Sequence, residues 1–456
     1  MKLTIIGGAG VRVPLVTNGL FRDETAITVD ELSLFDADPQ RGTIIARIAE
    51  AMASRAGGSL RVSQPRTLEE ALEGASFVLS SIRVGGIGGR VQDERIALEH
   101  GLPGQETVGP GGFALALRTI PILVDYARRV AELAPQAWMI NFTNPVGIMA
   151  EAFIREGVSA RCIGVCDTPR EQFLHVSDAL GIPLETASFD YFGLNHLGWI
   201  RSVLVDGHDV LPELLALDEA LDNAYPAPLF SKSFLRSLGL LPTEYLYYYY
   251  STHEAYLRTA AAGNTRGGLI QELESRLMRS VAEAGPDDIE ILEAYDLYLA
   301  SRNASYMAIE TGESFGIGAI EAARDRLYQS AAGYERIALD VISAIHNNDL
   351  RVMPVDVANQ GAIQDLDSET AVEVPCAIDS NGARPMAAGR LPEQVRELLL
   401  QVKEFERLTV DAAQQGSRSL AIEALTANPL VKQRELAERL VDAYRSAHSH
   451  WLDYLS

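Results

Sequence analysis

The residues best equipped for chemistry are Cys166 and Asp167, in the turn Gly164-Val165-Cys166-Asp167-Thr168-Pro169, and His196, thirty positions on in Gly193-Leu194-Asn195-His196. A cysteine thiolate and a histidine imidazole together suit a borderline divalent metal. Two protein ligands leave coordination positions open for a substrate, the arrangement of a catalytic rather than a structural centre. Cys166 and His196 are therefore the expected metal ligands, with Asp167 beside them.

Other candidates gather around glycines. Gly8 and Gly10, after the apolar run Leu3-Thr4-Ile5-Ile6, resemble the opening of a dinucleotide-binding turn, although Val13 stands where its third glycine belongs. Asp36 closes the next apolar run, where an acid binds ribose hydroxyls and disfavours a 2′-phosphate, so NAD is expected over NADP. The plainer reading makes Asp36 a helix cap in Asp36-Ala37-Asp38-Pro39. Arg83 and Arg90 follow a third run and lead to Gly104-Gln105-Glu106-Thr107; they suit an anion grip or an ordinary ion pair. Asn144, before Pro145, either starts a turn or binds substrate. Five tyrosines between Tyr245 and Tyr250 cannot all face one side, so at most one is expected to act as a base. Thr265-Arg266-Gly267 offers another anion clamp.

These residues need elements to hold them. Strands are expected at Leu3 to Ile6, Glu31 to Phe35, Phe77 to Ile82, Ala137 to Phe142 and Cys162 to Val165, with helices at Val13 to Phe21 and Phe113 to Leu133. Alternating strands and helices imply parallel βαβ units and a doubly wound sheet. The turn at Asn144 must then lie beside the cysteine turn. After Asp190 comes one strand, Trp199 to Val205. Helical periodicity follows over Leu211–Leu221, Phe234–Tyr250, Leu269–Ala282 and Ala319–Ile345, then β-like segments over Val355–Pro392, and helices over Pro392–Gln414, Ser417–Leu425 and Val431–Leu452. The expected fold is α/β. A Rossmann-like NAD-binding domain over 1–190 carries the doubly wound parallel sheet, and a mainly helical α+β domain over 191–456 serves substrate, metal and oligomerisation.

Composition narrows the function. A 456-residue chain with 47% hydrophobic and 22% charged residues can bury a large core. Its net charge of −23 argues against nucleic acid and anionic membrane surfaces, but not against a small anion met by local arginines. Three irregularly spaced cysteines do not make a disulfide framework. The first apolar run ends after four residues, too short for a signal peptide, so the cytoplasm is the expected location.

Taken in order, these segments resemble glycoside hydrolase family 4, the NAD- and Mn²⁺-dependent glycosidases that include 6-phospho-α- and 6-phospho-β-glucosidases. The resemblance runs through Ile5-Ile6-Gly7-Gly8, Ile82-Arg83-Val84-Gly85, Gly104-Gln105-Glu106-Thr107, Asn141-Phe142-Thr143-Asn144-Pro145, Cys166-Asp167-Thr168-Pro169 and Gly193-Leu194-Asn195-His196. It continues through Tyr245-Leu246, Tyr248-Tyr249, Thr265-Arg266 and Glu373-Val374-Pro375-Cys376. It implies a lactate/malate dehydrogenase-like fold and a mechanism outside the usual carboxylate pair. NAD oxidises the sugar C3 hydroxyl, and Mn²⁺ or another divalent metal on Cys166 and His196 chelates the C2 and C3 oxygens. Tyr245 removes the C2 proton, the C1 substituent is eliminated, water adds, and C3 is reduced again.

The resemblance further implies NAD contacts at Gly8, Gly10, Asp36 and Arg83. Substrate contacts fall on Arg90, Asn144 and Arg266, with Glu106 near the metal. Asp167 matches the general acid of the phospho-α branch, whereas Pro242 to Tyr250 and Gly193 to Trp199 look more like phospho-β enzymes. A 6-phospho-β-glucoside is the first expectation; 6-phospho-α-glucosides, sulfoquinovosides and uncharged or uronic sugars are the alternatives on the same mechanism. One departure bears on the anion: the family's phospho-enzymes usually carry an acid after Thr-Arg, where this chain has Gly267. Other classes are a plain NAD-dependent dehydrogenase of the 2-hydroxy-acid type and a non-catalytic nucleotide sensor. A homodimer or homotetramer is also implied.

Overall fold

The computed structural model describes residues 1–22, 25–312, 316–329 and 333–456. Among them thirteen strands form one sheet. In chain order they are Lys2–Ile6 (β1), Glu31–Phe35 (β2), Arg61–Ser63 (β3), Ala75–Ser80 (β4), Trp138–Asn141 (β5), Cys162–Gly164 (β6), Ala187–Leu194 (β7), Leu197–Val205 (β8), His208–Asp209 (β9), Leu241–Pro242 (β10), Arg351–Ala358 (β11), Ala371–Asp379 (β12) and Gly382–Pro385 (β13).

The first six pair in parallel in the order β3-β2-β1-β4-β5-β6, the doubly wound arrangement. Helices cover both faces of such a sheet, so its strands read as continuous apolar runs; Leu3, Ile5, Leu32, Val78 and Ile140 are fully buried. The order reverses between β1 and β4, which opens a crevice beyond their carboxyl ends. Gly7 lies there at φ +97°, and a Cβ on it would stand 2.3 Å from Ser81 O, so both the turn and the close approach of the two strand ends demand glycine. Asn141 pairs with Gly164, which sets the Asn144 turn beside the cysteine turn as the strand order required.

The remaining strands continue the same sheet in antiparallel fashion. β11 joins β6, and β12, β7, β8 and β10 follow outward. β7 and β8 form a hairpin whose two-residue tip is Asn195-His196, with His196 at φ +62°. The sheet thus crosses position 190.

Several elements differ from the sequence reading. Phe234–Tyr250 is not one helix: Lys232–Leu238 ends on left-handed Gly239, Pro242 pairs in β10 with Trp199, and Glu244–Leu246 and Tyr247–Tyr250 make two short turns of helix. Local apolar spacing looked continuous because every one of these pieces packs on the core. Ala319–Ile345 is divided into Ile317–Arg324 and Tyr334–Asn347, with residues 330–332 outside the described ones. The helices Pro39–Arg55, Gly86–Glu99 and Asp288–Ala304, and the strands β3 and β10, had no counterpart in that reading.

Candidate active site

A cleft of about 1050 Å³ opens beyond the carboxyl ends of β1, β2, β4, β5 and β6. It is lined by Gly10, Asp36, Arg83, Arg90, Glu106, Asn144, Cys166, Asp167, His196, Tyr245 and Arg266, so eleven of the twelve candidate residues share one cavity. Gly8 is the exception. Its N–H donates to Phe35 O at 2.9 Å, and a Cβ on it would lie 2.8 Å from Leu34 backbone. Gly8 therefore serves the close packing of the turn on β2.

Asp36 is not the helix cap. Asp38 takes that role by accepting from Arg41 N, while Asp36 accepts from Ala9 N–H and Asp38 N–H, both at 2.9 Å. Asp36 is thereby held rigidly at the cleft wall beside the first glycine turn.

Cys166 is buried at the end of β6. Burial, with Glu373 and Asp167 nearby, pushes its thiol well up, so it stays protonated until a cation displaces the proton. His196 reaches the same cleft from the β7–β8 hairpin tip, and burial lowers it to about 4 although Asp167 and Glu106 pull the other way. A neutral imidazole is the metal-binding form. Its ring stacks on Tyr245 with centroids 3.7 Å apart and planes 16° apart, and Nδ1 lies 3.0 Å from Thr107 Oγ1. Among the described residues no cluster of three or more His, Cys, Asp or Glu side chains is assembled to hold a metal. The donor set is the soft–borderline pair of thiol and neutral imidazole.

Tyrosine roles separate once the chain is folded. Only Tyr245 of the run lines the cleft. Tyr248 donates to Glu310, Tyr250 accepts from Trp199 Nε1, and Tyr247 is buried. Burial, Glu244 and Cys166 push the Tyr245 phenol well above its ordinary range, so it becomes a base only beside added positive charge. Tyr306, which also lines the cleft, is hydrogen-bonded to Tyr245 and donates to Glu244 Oε1 at 3.0 Å; Thr168 donates to the same oxygen at 3.0 Å.

The arginines divide into two sets. Arg83 pairs with Glu106 at 2.6 Å, and Arg90 pairs with Glu94 at 2.8 Å and Glu106 at 2.9 Å, so both make the ion pairs of the plainer reading, but inside the cleft wall. Burial would raise Glu106; the charges of Arg83 and Arg90 outweigh it and bring it down to about 2. Arg12 pairs with Asp167 at 3.5 Å and lies over the Tyr334 ring. Arg266, by contrast, bonds to backbone carbonyls at Ser305 and Arg302 and lies over Tyr306. Arg302 lines the cleft without a carboxylate partner among the described residues, and burial together with Arg12 lowers it to about 10. Burial is the main cause, with the neighbouring Arg12, Arg266 and Arg90 adding positive charge that an anion would balance. Asn144 adds an orphaned acceptor, its buried Oδ1 lacking any hydrogen bond.

Gly267 also has a structural reason. Its N–H donates to Glu94 Oε2 at 2.7 Å, and a Cβ at that position would lie 2.6 Å from the same oxygen. The Glu94 carboxylate fills the space a side chain at 267 would need.

Sequence reasoning missed Arg12, Thr107, Glu244, Arg302 and Tyr306. Thr107 and Glu244 lay within segments already singled out, while Arg302 and Tyr306 fall in or just after a helix with no motif to mark them. Only the fold carries them to the cleft.

Two sequence profiles match the chain: "Family 4 glycosyl hydrolase" over residues 2–182 and "Family 4 glycosyl hydrolase C-terminal domain" over residues 191–431. The 6-phospho-beta-glucosidase of Escherichia coli (strain K12) is 31% identical over 99% of this chain and 96% of its own length. A 6-phospho-beta glucosidase from Thermotoga maritima, solved with manganese, NAD+ and glucose-6-phosphate, superimposes with a TM-score of 0.81 at 25% identity, covering 99% of each chain. A 6-phospho-alpha-glucosidase from gut microorganisms, solved with NAD and Mn2+, gives a TM-score of 0.80 at 27% identity over 98% of each chain.

Proposed function

This chain belongs to family 4 of the glycosyl hydrolases, and on that premise we propose that it is an NAD- and divalent-metal-dependent glycosidase of 6-phosphoglucosides, with the β-anomers as first substrates. The observation that carries this reading is the meeting, in one cleft, of Cys166, His196 and Tyr245 with two arginines, Arg266 and Arg302, that have no carboxylate partner among the described residues. Membership in a hydrolase family sets aside the plain dehydrogenase.

The residues present fit both groups. A displaceable thiol proton and a neutral imidazole suit a divalent ion, and the β1 turn with Gly10 and the anchored Asp36 suits the adenosine end of NAD. When bound, NAD supplies reversible hydride acceptance at the sugar and the metal supplies Lewis-acid charge. The rest falls to the chain. Arg266 and Arg302 hold the C6 anion, and Asn144 Oδ1 takes a sugar hydroxyl. Tyr245 removes the C2 proton, with Tyr306 and Glu244 behind it to orient its hydroxyl. Asp167, kept in place by Arg12, takes a proton from solvent and passes it to the departing glycosidic oxygen. The ion-paired Arg83, Glu106 and Arg90 shape the floor between nucleotide and sugar. In this reading residues 1–190 serve the nucleotide and residues 191–456 supply His196, Tyr245 and the anion seat.

Elimination constrains the anomeric centre less than displacement does, so the Asp167 carboxyl also suits 6-phospho-α-glucosides. The test is a panel of 6-phospho-α-, 6-phospho-β- and 6-sulfo-glycosides assayed with NAD⁺, Mn²⁺ and reductant. Turnover of the 6-phosphoglucosides, with deuterium entering at C2 in D₂O, is expected. Failure to turn over any 6-anionic glycoside overturns the substrate reading, and a product without C2 deuterium overturns the role of Tyr245.

A further inference from the structure

We propose that Thr107, held by Gln105, sets the tautomer of His196 and so leaves Nε2 as the nitrogen that meets the divalent cation; this rests on the metal reading above. The hydrogen-bond geometry settles the proton's place by elimination. Gln105 Oε1 lies 2.5 Å from Thr107 N, 2.6 Å from Val108 N and 3.1 Å from Thr107 Oγ1. Both backbone groups are donors, so this end of the amide must be the oxygen. Thr107 has one hydroxyl proton. Were it directed at His196 Nδ1, two oxygens would face each other at 3.1 Å with only lone pairs between them. The proton therefore points to Gln105, and Thr107 Oγ1 accepts from Nδ1–H across 3.0 Å. A neutral ring protonated at Nδ1 carries its lone pair on Nε2.

The ring cannot easily turn to reverse this choice. Tyr245 stacks against its face, and the hairpin tip is anchored by Asn195 Nδ2 donating to Glu373 Oε1 at 3.1 Å. Thr107 is thus a positioning residue: it does not line the cleft and acts through His196. Partners of this kind orient a metal-ligating imidazole and strengthen it as a donor.

The experiment compares Mn²⁺ affinity of the full-length protein, read by electron paramagnetic resonance of unbound Mn²⁺ with and without NAD⁺. Thr107→Val is expected to weaken binding about 10- to 100-fold, the range for loss of such a partner, and Thr107→Ser to keep wild-type affinity. Wild-type affinity in Thr107→Val, alongside a loss in His196→Gln, overturns the role of Thr107. Wild-type affinity in His196→Gln overturns the metal reading itself, and this inference with it. Nitrogen NMR of metal-free protein labelled at histidine gives a second measurement that needs no Thr107 variant, with the His196 signal assigned by its absence in His196→Gln. A proton on Nδ1 is expected; a proton on Nε2 alone overturns the proposal.

Discussion

Tyr245 is a phenol made acidic by its surroundings only on condition. Burial and the nearby Glu244 and Cys166 push it upward, so nothing in the protein alone prepares it as a base. Its stacking on His196 places it beside the imidazole that lines the cleft. Tyr245→Phe should lower kcat by about 10²- to 10⁴-fold, the usual contribution of a positioned base, while Mn²⁺ and NAD⁺ affinities stay at wild-type values. A variant with wild-type kcat would falsify the assignment. Arg302 invites a different test. Removing one charge-assisted contact to an anion costs about 1.5–3 kcal/mol, or about 10- to 150-fold in kcat/KM. Arg302→Met should lose that much on a 6-phosphoglucoside, chiefly through KM, and should lose far less on the uncharged glucoside. Equal losses on both would show that Arg302 supports the wall rather than the anion.

Strands β11 and β12 carry a second, purely structural piece of chemistry under the site. Asp356 and Glu373 stand opposite each other in register, both buried, and burial drives both carboxyls upward. Glu373 also receives Tyr191 and Asn195, which ties this pair to the hairpin that presents His196. The folded protein therefore keeps protons that the unfolded chain gives up in the ordinary carboxylate range. That stabilising contribution is complete at acidic pH and is lost as pH rises through neutrality. Asp356→Asn should flatten the fall in thermal stability as pH rises above the ordinary carboxylate range, because one of the two raised carboxyls is gone. An unchanged slope in calorimetry would mean that the two carboxyls do not hold the extra proton.

The whole molecule works as one scaffold because its sheet joins strands from both halves, through β6–β11 and β12–β7. The cleft likewise takes Gly10 from one end of the chain and Trp451 from the other. Ligand binding should stabilise all of it together. NAD⁺ at about 100 times its Kd should add about 2.7 kcal/mol and shift a single unfolding transition as a unit. Two transitions, of which only one moves, would show that the halves unfold separately. Among the described residues no helix is long and apolar enough to cross a membrane.

Much of this was written locally. The Cys166–Asp167 turn, the Asn144 turn and the glycine turn at β1 each follow an apolar run, and a parallel strand order forces such ends to one edge of a sheet, which is why Gly10, Asn144, Cys166 and Asp167 line one cleft. Residue type also determined the chemistry, because a thiol and an imidazole suit few ions. Tertiary structure alone decided which of five tyrosines faces the cleft, since one apolar period serves helix, turn and strand alike when all are buried. It alone brought Arg302 and Tyr306 across from a helix with no motif, and turned Gly267 from a missing acid into a seat for Glu94. It alone placed Thr107 against His196, eighty-nine residues away, where the direction of the Thr107 hydroxyl proton bears on which ring nitrogen is free. Contacts between residues so far apart depend on strand register and helix packing, which no local pattern of side chains encodes.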